Sequence, residues 1–139
     1  MLQAQNMELI EKLREDVKTS TGEHRLESLN ALAWEYRSAF PDSAIKYAEQ
    51  ALSLSAQLKL SKGSASTLNY LGLAHYYKGN FIRAYENYEN ALTQATSTSD
   101  SVQIGYAFNN IGPTFLGARY GHSILSIFCK SGVDIQINQ

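Results

Sequence analysis

Residues 68–92, LNYLGLAHYYKGNFIRAYENYENAL, decide how this chain folds. Leu68, Leu71, Gly72 and His75 recur at three- and four-residue steps. That spacing puts them on one face of an α-helix and does not suit the two-residue alternation of a strand. Lys78-Gly79-Asn80 then breaks the pattern, with a glycine free to take positive φ. A second periodic run follows, through Ala84, Tyr88 and Ala91. The stretch reads as two helices joined by a tight turn.

The same text occurs upstream and downstream. Residues 29–36, LNALAWEY, stand 39 positions before LNYLGLAH, and residues 108–115, FNNIGPTF, stand 40 positions after it. Leu29, Asn30, Leu32 and Ala33 fall on Leu68, Asn69, Leu71 and Gly72, and then on Phe108, Asn109, Ile111 and Gly112. The second run is copied too: residues 44–52, AIKYAEQAL, precede AYENYENAL by 40 positions. In that copy Ala44, Ala48, Ala51, Leu52 and Ser55 share a face. The change in offset falls in a turn, where a chain of packed helices tolerates length variation. Gly72, Gly112 and Ala33 are small where two helices would cross closely, as are Ala44, Ala84, Ala51 and Ala91 on the second helices. Tyr36, Phe81, Tyr85 and Tyr88 are sized to fill the gaps between them. Helix starts are predicted at Ser20 or Thr21, at Pro41-Asp42-Ser43 and at residues 98–101, where proline or capping side chains gather.

On these residues the chain resembles the tetratricopeptide (TPR) repeat family. Residues 68–92 carry the family's Leu-Gly, Gly-x-Phe, Ala, Tyr and Ala-Leu positions together. The copy from about Glu23 to Leu60 is weaker, with Ala33 in place of glycine. The copy beginning at Asp100 is clear only to about Phe115. The period near 40 exceeds the family's usual 34 and is similar to arrays in bacterial signalling and peptide-sensing proteins. The resemblance implies an all-α fold: an antiparallel helix-pair solenoid with two full repeats and a partial third. The divisions are residues 1–20, an N-terminal segment with a capping helix; 21–60, repeat 1; 61–98, repeat 2; 99–116, the first helix of repeat 3; and 117–139, an irregular tail or degenerate cap.

The resemblance also implies a groove lined by the first helix of each repeat. Its positions map onto Glu27, Asn30, Trp34, Arg37 and Ser38, then Ser66, Asn69, Leu73, Tyr76 and Tyr77, then Tyr106, Asn109 and Pro113. The recurring Asn30, Asn69 and Asn109 suit the backbone of an extended peptide, because an amide donates and accepts at once. They suit equally the satisfaction of neighbouring helix ends or the next repeat's backbone. Trp34, Tyr76, Tyr77 and Tyr106 are of the types enriched at binding hot spots. Arg37 is the groove's main cation, so recognition of an acidic C-terminus by a basic cluster is not favoured.

Composition narrows the function. Among 139 residues, 44% are hydrophobic and 18% charged, enough apolar material for a core. A net charge of −1 gives no electrostatic reason to bind nucleic acid. The single cysteine, Cys129, excludes an internal disulfide and a cysteine-cluster zinc site. No apolar run approaches the ~20 residues of a bilayer span, and Gly117-x-x-x-Gly121 has flanks too short and polar for a membrane dimer motif. The opening MLQAQN reads as a frayed terminus or as the remnant of a secretion signal, so the compartment is cytoplasmic or periplasmic. His75 stands where the other copies have Tyr36 and Phe115, a core position, while His24 and the pair Glu86 and Glu89 read as solvated. His122 and Cys129 lack an orienting third group for nucleophilic chemistry. No phosphate loop, nucleophile elbow, paired-histidine helix or calcium loop occurs. No enzyme activity, cofactor or metal is therefore expected.

Two segments remain. Leu9, Ile10, Leu13 and Val17 form one face of an amphipathic helix that would cover the first repeat's open edge or bind a partner. In the tail, Pro113 is expected to disturb the third copy's helix, and residues 124–128 form an apolar cluster that should be buried. The functional expectation is a protein- or peptide-binding module, the sensor or scaffold part of a larger bacterial signalling protein. The alternatives are the regulatory domain of a multidomain enzyme, such as a histidine kinase or nucleotide cyclase, with its catalytic part absent, and a module that self-associates through its C-terminal edge.

Overall fold

The computed structural model describes residues 2–61 and 63–120. The tail beyond Tyr120 lies outside them, and with it the expectations about His122, residues 124–128 and Cys129. Among the described residues there are six helices and no strand: α1 (Leu2–Thr19), α2 (Gly22–Tyr36), α3 (Pro41–Gln57), α4 (Ser64–Tyr77), α5 (Phe81–Ser97) and α6 (Ser101–Tyr120). The chain is all-α. The two helices read in residues 68–92 are α4 and α5, and their upstream copies are α2 and α3.

The way the helices end explains the turns. The N–H of Gly79 donates to Tyr76 O at 2.9 Å and that of Asn80 to His75 O at 2.8 Å. This is the Schellman closure of a helix C-terminus, and it needs a left-handed residue at its centre; Gly79 has φ 85°. The same pair of bonds closes α3 around Lys59 and α5 around Ser99. Neither is glycine, yet Lys59 has φ 55° and Ser99 φ 56°. At the starts, Pro41 occupies the first turn of α3, where its missing N–H costs nothing. Asp100 caps α6 by accepting from the Gln103 N–H at 3.2 Å. Thr21 occupies the N-cap of α2 but makes no side-chain cap bond. The Ser20 hydroxyl instead donates backwards to the Asp16 carbonyl.

Packing follows a regular scheme. Each helix packs on the next, and α2 also touches α4 and α4 touches α6, whereas α3 and α5 do not meet. So α2, α4 and α6 form a contiguous row, with α3 and α5 on its other side. The small residues read from the sequence sit at the crossings: Ala33, Ala44, Ala48, Ala51, Ala84 and Ala91 have no exposed surface. Gly72 packs against Tyr88, the largest fully buried side chain. His75 is buried, as its repeat position predicts, and His24, Glu86 and Glu89 are exposed. Helix α1 makes its backbone approach to α2 alone, and its Val17 packs against the core cluster of which Leu26 and Leu29 of α2 are part. This agrees with the edge-covering reading of that helix, although Met7 and Leu9 remain exposed.

One expectation is corrected. Pro113 does not end the third copy's helix, because α6 runs through it to Tyr120. Side chains hold the helical spacing on both sides of it. Asn110 Nδ2 donates to Tyr106 O at 2.8 Å, and Thr114 Oγ1 donates to Asn110 O at 2.7 Å. One lost N–H in a well-packed helix costs less than unwinding the segment around it.

Candidate binding surface

Trp34 and Arg37 lie one turn apart near the end of α2. The Arg37 guanidinium carbon stands 3.6 Å from the centroid of the Trp34 ring, a cation–π contact. Arg37 Nη1 also donates to the Trp34 carbonyl at 2.6 Å. The indole meets Tyr70 of α4 at 5.3 Å between centroids, tilted by 52°, and Tyr106 of α6 at 6.4 Å, edge-on at 63°. Each helix of the row thus contributes one ring to a single cluster. Trp34, Tyr76, Tyr106 and Ile111 back onto the buried Leu73, Ala84 and Tyr88, which fixes the rings from behind. Tyr76 continues the aromatic surface edge-on to Tyr77 at 5.8 Å and to Phe81 at 5.5 Å.

The electrostatics are those of neutral phenols around one cation. Burial pushes the Tyr70 and Tyr106 hydroxyls above the ordinary tyrosine value, and the Arg37 charge partly opposes the rise in both. Both rings therefore stay protonated donors well above neutral pH. Burial raises Tyr88 much further. Thr114 is a polar neighbour of its hydroxyl, but Tyr88 Oη has no well-formed hydrogen bond.

The asparagines have a different part from that of a ladder facing solvent. Asn30 Oδ1 accepts from Thr67 Oγ1 of α4 at 2.6 Å. Asn69 has no exposed surface, and its Nδ2 donates to Gln103 of α6, at 2.9 Å to Oε1 and 3.3 Å to the carbonyl. Both link one helix of the row to the next, mainly through side-chain partners, with the Gln103 carbonyl as the one backbone partner. Asn109, with no further helix beyond it among the described residues, is exposed. Leu73 is buried as well, so neither it nor Asn69 offers surface to a ligand in this conformation.

The other groove positions fall into two places. Trp34, Arg37, Tyr76 and Tyr106 are half-buried, and Tyr77 is exposed, around the aromatic cluster. Glu27, Asn30 and Ser66 instead line a cleft of about 480 Å³ near the start of α2, with Glu23, Leu26, Leu60 and Gly63. Ser38 is exposed and Pro113 half-buried. Sequence reasoning missed Tyr70, which packs on the Trp34 ring at the centre of the cluster. The signal was present: Ser66, Tyr70, Leu73 and Tyr77 follow one another at helical steps along one stripe.

Among the described residues, no three His, Cys, Asp or Glu side chains gather as metal ligands would, and no helix is long and apolar enough to cross a membrane. No protein-family model, curated protein or solved structure matches the chain.

Proposed function

We propose that the chain is a non-enzymatic module that binds an extended peptide or protein segment along the row α2, α4 and α6, with its helix pairs stacked as in TPR superhelices. The observation that carries this reading is the convergence of Tyr70, Tyr106 and Arg37 on the Trp34 ring, which gathers one ring from each helix of the row. Large amphipathic rings held rigid from behind provide contact area at low entropic cost. The recurring contacts between first helices, and the absence of contact between α3 and α5, support the stacked arrangement.

The test is selection of peptides from a displayed library on the wild-type protein and on a Tyr70→Ala/Tyr106→Ala variant with the same helicity. Peptides enriched on the first and lost on the second support the proposal. Equal enrichment on both, or none on the wild type, refutes it. A second reading, self-association through α6, is favoured by the exposure of Val102, Phe108 and Phe115 on that last helix. Light scattering across a concentration series decides it, and a monomer throughout removes it.

A further inference from the structure

We infer that Arg37, Tyr70 and Tyr106 form the receptor for a single carboxylate carried on an apolar body, such as a glutamate or aspartate beside an apolar residue in a bound peptide. The inference rests on the peptide-binding reading and names the chemistry its central site selects.

A guanidinium carries five N–H donors and no acceptor. Arg37 uses Nη1 on the Trp34 carbonyl. Among the described residues it has no ion-pair partner, the ion pairs there being Lys18 with Glu15 and Lys78 with Asp42. The indole lies against one side of the guanidinium, 3.6 Å from its central carbon to the ring centroid. The edge then remains available for the forked bonding that a carboxylate accepts from arginine. Tyr70 and Tyr106 pack on the same indole, at 5.3 Å and 6.4 Å between centroids, and the Arg37 charge acts on both phenols. Neither hydroxyl has a hydrogen-bond partner among the described residues.

The cluster therefore gathers the Arg37 guanidinium and two phenol hydroxyls around one indole, with no anion among the described residues to match the charge. A half-buried cation without a counter-charge is an unfavourable arrangement that an anion corrects. One cation balances one charge, which favours a carboxylate over a phosphate dianion. The surrounding rings of Trp34, Tyr70 and Tyr106 supply an apolar wall for whatever bears the anion.

Trp34 is the only tryptophan, so its emission reports on this site. The probes are 3-phenylpropionate, its neutral amide and phenyl phosphate, titrated against the wild type, Arg37→Gln, Tyr70→Phe and Tyr106→Phe. The expected result is a saturable change with the carboxylate, about tenfold weaker with the amide and in Arg37→Gln. The two phenylalanine variants should weaken it severalfold, because the ring stays while the donor goes. If Arg37→Gln loses helicity, Arg37→Lys replaces it: the charge remains, the fork is lost and binding should still weaken. Equal response to acid and amide overturns the carboxylate receptor while leaving the peptide-binding wall standing. No saturable response to the carboxylate overturns it too, as does phenyl phosphate binding more tightly than the carboxylate. Loss of the wall itself is read separately, from the display selection on Tyr70→Ala/Tyr106→Ala.

Discussion

Replacing Gly72 by alanine should destabilise the protein, although alanine is the better helix former. A Cβ built on Gly72 falls 2.8 Å from Tyr88 Cε1, 2.9 Å from Cδ1 and 3.1 Å from Cζ. Favourable carbon–carbon contact lies near 3.5–4.0 Å, so the ring or the helix must move. Tyr88 has no exposed surface and no open side to move into. Overpacking of this kind costs about 1–3 kcal/mol. Three clashes on one rigid ring point to the upper part of that range, about 2–3 kcal/mol. Helix preference returns about 1 kcal/mol on going from glycine to alanine, leaving a net loss of about 1–2 kcal/mol. Gly105 provides the control. It too lies in a helix, but its Cβ would meet nothing within 4 Å. There alanine should stabilise by about 0.5–1 kcal/mol. The assay is urea unfolding of both variants followed by far-UV circular dichroism. Changes of the same sign in both would refute the reasoning. Adding Tyr88→Leu to Gly72→Ala should recover part of the loss, seen as a coupling of at least about 0.5 kcal/mol between the two sites.

Three further outcomes follow from the same packing. Asn69→Ala should cost about 1–3 kcal/mol, since it strands the Gln103 partner and leaves a gap, while Asn109→Ala should fall within about 0.5 kcal/mol of wild type; equal effects in urea unfolding would contradict the inter-helix role of Asn69. Ser99→Gly should stabilise by roughly 0.5 kcal/mol, because a left-handed serine becomes a residue at ease there, and a lower melting temperature would argue against the closure described for α5. The third concerns pH. Burial lowers the His75 pKa below its ordinary 6.5, with the Arg83 and Lys78 charges adding to the effect and Glu49 and Asp42 opposing it. The native state therefore binds this proton less readily than the unfolded chain. Its contribution is complete above 6.5 and is lost as pH falls below that value. Unfolding midpoints measured from neutral pH to about pH 5 should decline more steeply in wild type than in His75→Phe, a substitution that places here the residue found at Phe115.

Helical class, the turn at Gly79 and the small residues at crossings were legible because each follows from local rules acting on a copied pattern. The copies compensate for weak single signals: Ala33 was readable as a crossing residue only beside Gly72. A helix start was read at residues 98–101, but the left-handed conformations of Lys59 and Ser99 were hidden, since they are imposed by the closing hydrogen bonds and leave no mark on residue type. Pro113 misled for a related reason. Its local cost is real, but packing and side-chain bonds around Asn110 and Thr114 outweigh it. At the candidate surface, Trp34, Tyr76, Tyr77, Tyr106 and Arg37 were read from the sequence by their repeat positions. The fate of Asn69 was not, because one periodic place on a helix faces either solvent or the next helix according to how closely the neighbours approach. Tyr70 was missed because the comparison of copies sets it against Ala31 and Asn110, which share nothing with it.

Among the described residues, no helix touches another more than two places away in chain order. Such a molecule has no long loops to close before its contacts form, so it should collapse quickly from any starting point along its length. It should also come apart by degrees. Amide protons in α1, which leans on a single neighbour, should exchange with solvent well before those in α4, which is held by four other helices.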